Sequence, residues 1–354
     1  MLILYLREVT ENTSRTASLC GFYGKRNMGD DLMQHQLGGI LSDCGFSEVG
    51  IYSDCEYFHV KNGLEDDSYL KADVIVIGGG GIIDPEFWVF SEGRIDKLLE
   101  SGKKLVFLNV SVYQSILQQP EFVQKLTKMH GVWYVRDQKS RDLLKSVGIE
   151  ARIVPDVLFS KPPQDLPPKD TRLMLVYPNY YAFDGHFNGT GNWDDTLMYF
   201  MSVKILAQFI DWMTTFGWRV SIVSAQTSQH VDDRIIASTI YGHVKNKDSV
   251  NWVDFPLEYT EHEDLISQAK LVVSMRYHSS AMAVKHSVPC IDIIHHDKNA
   301  GLWDDVGVYD NRVTIPFNMD NLIDAANASD KQSVTTLAYT KAAIGSWSEF
   351  NITS

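Results

Sequence analysis

Along the first half of the chain, short apolar, β-branched runs alternate with longer stretches whose apolar positions recur every three or four residues. Residues 19–23 read as a strand, and residues 30–44 as a helix with Leu32, Leu37, Ile40 and Leu41 on one face. Residues 49–52, 72–77, 105–110 and 132–135 give further strands, separated by helix-length segments. Consecutive apolar positions, as opposed to alternating ones, suit strands covered on both faces and therefore a parallel sheet. The pattern predicts a doubly wound α/β layout.

Residues 161–170 interrupt that rhythm. Four prolines in ten residues exclude a helix or a central strand, so the segment reads as a stiff linker. The rhythm then restarts, with strands at 173–177, 219–224, 249–253, 271–274 and 290–294 and a helix at 199–216. The expected organisation is a Rossmann-like domain over 1–160, a linker over 161–170, and a second Rossmann-like domain over 171–330. A C-terminal helix and tail over 331–354 complete it. Strand-end loops of both domains are expected to face a cleft, because open α/β sheets bind ligands outside the carboxyl ends of their strands.

Bulk properties narrow the function classes. A chain of 354 residues can hold two ordinary domains, and 44% hydrophobic with 22% charged residues describes a globular protein. A formal net charge of −13 argues against a nucleic-acid partner, since phosphate backbones are repelled. It leaves room for a small anion held by a few local cations. The apolar N-terminus meets Arg7 and Glu8 too soon for a signal peptide, and no apolar window approaches the roughly 20 residues of a spanning helix. Four cysteines without C-x-x-C spacing point away from disulfides or zinc and towards a reducing cytoplasm.

Three loops carry candidate chemistry. In Gly21-Phe22-Tyr23-Gly24-Lys25-Arg26-Asn27-Met28-Gly29-Asp30-Asp31 the glycines permit a tight turn and Asp30 can cap the following helix. That packing account leaves Asp31 unexplained. A second carboxylate repels phosphate at a helix start, whereas carboxylates with Asn27 suit sugar hydroxyls. The run Gly78, Gly79, Gly80, Gly81, leading to Asp84, either clears space for a ligand at backbone N–H groups or allows a close helix–strand crossing. Neither loop fits a dinucleotide or Walker spacing. In Ser274-Met275-Arg276-Tyr277-His278-Ser279-Ser280 a guanidinium suits a phosphate or carboxylate, and the imidazole two residues on can move a proton. Arg136 at the end of a strand and Lys298 are further cations. The neighbouring His295 and His296 point to different sides and make no metal set.

Taken in order, these motifs resemble the polysaccharide pyruvyl transferase family. Gly21 to Asp31 is similar to its G-x-x-G-x-x-N-x-G-D-E/D opening, and the stretch from Asp73 to Asp84 to its D-x-x-x-x-G-G-G-G segment. Val135-Arg136-Asp137 with Ser140 and Gly148 resembles V-R-D-x-x-S-x-x-L-L-x-x-x-G, and Arg276 with His278 its R-x-H motif. Val288-Pro289 matches the G-V-P-like continuation. Tyr277 stands where leucine is usual and Ser287 where glycine often stands.

The resemblance implies a two-domain fold similar to that of GT-B glycosyltransferases. It also implies transfer of pyruvate from phosphoenolpyruvate to two sugar hydroxyls as a cyclic ketal, with no required cofactor. On that reading Arg276 and Arg136 take the donor anions, with Lys298 third, and His278 is the general acid/base. Asp31 or Asp84 stabilises positive charge on the donor, while Gly79, Gly80 and Gly81 cradle phosphate or admit the acceptor. Asn27 and Tyr277 contact substrate. A lipid-linked acceptor would bring peripheral membrane contact. A sugar-nucleotide glycosyltransferase of GT-B type and a non-catalytic carbohydrate-binding protein using Asp31 and Trp193 are the alternatives. A nicotinamide dehydrogenase lacks its fingerprint here.

Overall fold

The computed structural model describes residues 15–56, 59–163, 170, 172–180, 193–228, 231–253, 257–294, 297–329 and 331–352. The chain divides into two compact units. Met1–Lys25, Asp30–Pro162 and Ala342–Ser354 form the first, and Arg26–Gly29 with Pro163–Lys341 the second. Of the proline-rich segment, residues 164–169 lie outside the described residues.

In the first unit the strands are β1 Thr16–Cys20, β2 Glu48–Ser53, β3 Lys61–Asn62, β4 Val74–Gly80, β5 Lys104–Val110, β6 Gly131–Val135 and β7 Ala151–Ile153. The helices are α1 Met28–Asp43, whose first two residues belong to the second unit, α2 Arg94–Glu100, α3 Pro120–Lys128 and α4 Gln138–Ser146. The strands pair in parallel in the order β3-β2-β1-β4-β5-β6-β7. Leu32, Leu37, Ile40 and Leu41 of α1 are buried, as their spacing requires. The apolar runs of β4 and β5 are buried at almost every position, which is the signature of a sheet covered on both faces. The strand expected at 19–23 stops at Cys20. Gly21 to Tyr23 turn away, drawn by a bond from the Tyr23 hydroxyl to the Gly78 carbonyl (2.6 Å) and one from Trp88 Nε1 to the Gly21 carbonyl (3.1 Å).

The second unit contains β8 Leu173–Tyr177, α5 Trp193–Thr215, β9 Arg219–Val223, α6 Asp233–His243, β10 Val250–Val253, α7 Tyr259–Gln268, β11 Leu271–Ser274, α8 Tyr277–Lys285, β12 Cys290–Ile294, α9 Asp297–Val306, β13 Arg312–Thr314 and α10 Met319–Ser329. All its strands are parallel, in the order β10-β9-β8-β11-β12-β13. The final helix, α11 Ser333–Ile352, starts in residues of the second unit and ends in residues of the first. There Trp347 donates Nε1 to the carbonyls of Pro155 (3.1 Å) and Asp156 (3.2 Å).

Both sheets repeat one topology: two strands wind outward from the first, and the rest wind the other way from its opposite side. The direction reverses between β1 and β4 in the first unit and between β8 and β11 in the second. Ligands of doubly wound sheets bind beyond the carboxyl ends of strands at that reversal. The first glycine loop follows β1, the glycine run closes β4 and continues past it, and β11 leads into Arg276 and the start of α8 with His278. No described helix is long and apolar enough to cross a membrane. Cys20, Cys44, Cys55 and Cys290 form no disulfide.

Candidate functional site

The second unit's site begins at Ser274, the last residue of β11. Its hydroxyl oxygen accepts the Arg276 N–H (3.0 Å) and lies 2.7 Å from the Ser279 hydroxyl, and Ser279 donates to the Arg276 carbonyl (2.9 Å). This knot of two small hydroxyls makes the turn tight and sets Arg276 as the N-cap of α8. An arginine there offers no capping acceptor, so the positive end of the helix is left to attract an anion.

The Arg276 guanidinium is held by two neighbours. Nε donates to Asp233 Oδ2 (3.0 Å), Nη2 to Asp233 Oδ1, and Nη1 to Gln226 Oε1 (2.9 Å). Asp233 opens α6 and is fully buried; it also accepts the backbone N–H groups of Tyr180 (2.9 Å) and Gln226 (3.0 Å). A buried charge persists only when it is so paired and bonded. Among the described residues these bonds occupy three of the guanidinium's five N–H donors, which leaves a pre-oriented arginine with two donors to offer.

His278 lies on the first turn of α8, half-buried, with the buried Tyr277 ring edge-on to it at 5.0 Å between centroids. Its imidazole is pressed by Gly29: a β-carbon on Gly29 would stand 1.9 Å from Nδ1. The segment Arg26–Gly29 is a strap of the second unit. Asn27 pairs antiparallel with Gln226, Met28 N–H bonds the Ala225 carbonyl (2.9 Å), and Thr227 N–H bonds the Arg26 carbonyl (3.0 Å). Asn27 Nδ2 reaches Gln226 Oε1 (3.5 Å), the atom that also receives Arg276. Asn27 thus groups with Arg276 and His278 and not with the first domain.

The start of α1 also differs from its expected form. Asn27 Oδ1 accepts the Gly29 N–H (3.1 Å) and fills the capping role, so Asp30 and Asp31 both sit further into the first turn. They diverge, as consecutive helical residues must. Asp30 Oδ1 lies 3.9 Å from where a Gly80 β-carbon would be, whereas Asp31 helps raise the Cys55 thiol, whose shift comes first from burial. Asp30 therefore faces the glycine run, whereas Asp31 lies on the side of Cys55.

That run is roofed by protein side chains. A β-carbon at Gly79 would stand 2.9 Å from Met33 Cβ, and one at Gly81 would stand 1.9 Å from the Tyr113 hydroxyl. Gly79 and Gly80 have φ of 74° and 93°, a backbone that favours glycine. The close helix–strand crossing accounts for Gly79, while Asp30 and Tyr113 bring polar groups to Gly80 and Gly81. Burial raises the Tyr113 phenol; Arg136 opposes this, and Asp137 and Asp30 add to it.

Arg136 is a buried structural cation. Nη1 donates to Asp156 Oδ2 (3.1 Å) and Nε to Ser111 Oγ (2.7 Å), while Ser111 donates to Asp137 Oδ2 (2.8 Å). With side-chain exposures of 3% and 2%, Arg136 and Asp156 tie the ends of β5, β6 and β7 together. Asp84 accepts the Glu86 N–H (2.9 Å) in its own turn. Lys298 is half-buried in the first turn of α9; His295 and His296 lie outside the described residues. Asp233 and Gln226 escaped the sequence reading. Asp233 had one signal, the pair Asp232 and Asp233 at a helix start, where Asp232 alone makes the cap.

A family model described as "Polysaccharide pyruvyl transferase" matches residues 27–297. Among solved structures, the fold is similar to a UDP-GlcNAc 2-epimerase from Methanocaldococcus jannaschii in complex with UDP-GlcNAc and UDP. That match has a TM-score of 0.56 and 12% identity, over 89% of this chain and 92% of that one. The UDP-GlcNAc 2-epimerase from Neisseria meningitidis bound to UDP-GlcNAc gives 0.52 and 10%, over 95% and 98%. The glycosyltransferase SnogD from Streptomyces nogalater gives 0.44 and 11%, over 95% of each chain. No curated protein matches the chain in sequence. The likeness is one of fold: two parallel-sheet α/β domains, similar to those of the UDP-GlcNAc 2-epimerases.

Proposed function

The chain belongs to the polysaccharide pyruvyl transferase family, and from that premise we propose that it moves pyruvate from phosphoenolpyruvate onto two hydroxyls of a sugar, with no cofactor. One observation carries this reading. Arg276 and His278 stand together at the strand reversal of the second unit, on the anion-attracting start of α8.

In this reading the two unused N–H donors of Arg276 and the start of α8 bind donor phosphate or carboxylate. Protonation of the donor's methylene carbon makes a methyl group and leaves positive charge on the central carbon. One sugar hydroxyl bonds to that carbon; the second replaces phosphate as its C–O bond breaks. Of the two hydroxyl protons, one balances the new methyl group and the other leaves with phosphate. His278 is assigned the proton transfers, since an imidazole gives and takes protons near neutrality. Asp30 and Asp31 are the first unit's candidates for holding sugar hydroxyls.

Calorimetry tests the donor assignment. Phosphoenolpyruvate binding is expected in the parent protein and weakened in Arg276→Ala, because a charged hydrogen-bonding partner is lost. Equal affinity in both, or stabilisation by nucleotide sugars and not by phosphoenolpyruvate, would remove this reading.

A further inference from the structure

The strap Arg26–Gly29 lies against His278 and reaches Arg276 through Gln226, yet no step of that chemistry uses it as a reactant. We infer that the strap is a positioning device: Gly29 sets the imidazole of His278, and Gln226, the strap's pairing partner, sets the guanidinium of Arg276. The catalytic importance of these positions rests on the reading above; the positioning itself does not.

Three ring atoms of His278 crowd the Gly29 position: Nδ1 at 1.9 Å, and Cγ and Cε1 at 2.6 Å, from an added β-carbon. A side chain there must displace either the strap or the ring. The strap is pinned by the Met28 bond to Ala225, the Thr227 bond to Arg26 and the cap from Asn27 to Gly29, so the ring is the part that yields. The other end of the device is Gln226 Oε1, which receives Arg276 Nη1 at 2.9 Å and faces Asn27 Nδ2 at 3.5 Å. Asp233 fixes the opposite edge of the same guanidinium through Nε at 3.0 Å. Arginine and histidine are thereby indexed to one short backbone segment far away in sequence. A misplacement of about 1 Å at a reacting group can cost ~10²-fold in rate, so a glycine with no chemistry of its own gains catalytic weight.

The test uses the full chain labelled with ¹⁵N in histidine and arginine. His278 and Arg276 signals are assigned from the His278→Ala and Arg276→Ala variants. Gly29→Ala is expected to move the His278 imidazole resonances and leave the other histidines in place. Gln226→Ala is expected to move the Arg276 Nε–H resonance. With turnover available, Gly29→Ala should lower kcat ~10²-fold with little change in donor KM. Adding Gly29→Ala to His278→Ala should cost nothing further, because the glycine acts through the ring. Unmoved His278 and Arg276 resonances overturn the inference, as does a fully additive double variant. If Gly29→Ala fails to fold, the Arg276 resonance in Gln226→Ala decides alone. Moved resonances in a protein that never consumes phosphoenolpyruvate sink the proposed reaction and leave the strap standing. Unmoved ones in an active transferase sink the strap only.

Discussion

Gly29 lies against the imidazole of His278 so closely that a β-carbon would come within 1.9 Å of Nδ1. The contact joins the first glycine loop of the sequence to the R-x-H turn within one compact unit. It places the candidate acid/base on a rigid seat. His278→Ala should therefore lower turnover by ~10²–10⁴-fold. Its thermal midpoint should stay close to the parent's, because the ring is half-buried and the seat does not depend on it. Turnover near the parent level would take histidine out of the mechanism.

Asp233 and Arg276 form a buried pair with one carboxylate fully enclosed. Removing one partner leaves an uncompensated charge, at about 3–5 kcal/mol. Asp233→Ala should lose roughly that much in denaturant unfolding. The double variant Asp233→Ala/Arg276→Ala should lose less than the sum of the singles, because the stranded charge disappears. Additive losses would show that the pair is not coupled.

The glycine run separates two effects. Gly93 has φ of 77° and open space around it, whereas Gly79 has φ of 74° and Met33 Cβ 2.9 Å from its missing β-carbon. Gly93→Ala should cost only backbone strain, about 1 kcal/mol. Gly79→Ala adds a backbone-near clash and should cost about 2–4 kcal/mol. Equal costs in thermal or denaturant unfolding would contradict the packing account of the run.

Much of this was legible in the chain. Consecutive apolar positions announced parallel strands, and the strand ends marked the loops that matter. Asn27 and Arg136 show why the rest was not. Asn27 immediately precedes α1 in sequence, but it pairs with Gln226, about two hundred residues away in the same compact unit, and no local pattern encodes that pairing. Arg136 has the same sequence signature as an anion-binding arginine. Only the burial of Asp156 beside it reveals a structural pair. Asp30 and Asp31 were separable in principle, since adjacent helical residues face different ways; what each one faces required the fold.

Acid stability follows from two buried groups of the second unit, His262 and Asp292, and the half-buried Glu263. Burial holds His262, beside the Tyr177 hydroxyl at 3.2 Å, down to about 4 from 6.5. Folding thus favours its neutral form, and stability is lost as pH falls from 6.5 to 4. Burial works to raise Glu263, but bonds from His286 (2.9 Å) and Lys285 (2.8 Å) bring it down to about 2 from 4.5. Its contribution is present above pH 4.5 and lost between 4.5 and 2. Burial raises Asp292 to about 6 from 3.8, so its ionised form costs stability above pH 6 and that cost fades as pH falls to 3.8. Glu263→Gln should lose about 3 kcal/mol at pH 7 and show a flatter acid limb between pH 4.5 and 2. Parallel parent and variant curves of unfolding free energy against pH would contradict this.

The central claim is pyruvyl transfer by Arg276 and His278, and its most direct measurement follows both products at once. Phosphoenolpyruvate is incubated with the protein and a panel of galactosides, glucosides and N-acetylmannosamine-containing acceptors. Phosphate release is read alongside the proton NMR methyl signal of a sugar-bound pyruvate ketal. At least one acceptor is expected to yield phosphate and ketal in equal amounts, with both lost in Arg276→Ala. Consumption of a nucleotide sugar with phosphoenolpyruvate untouched across the panel would contradict the claim.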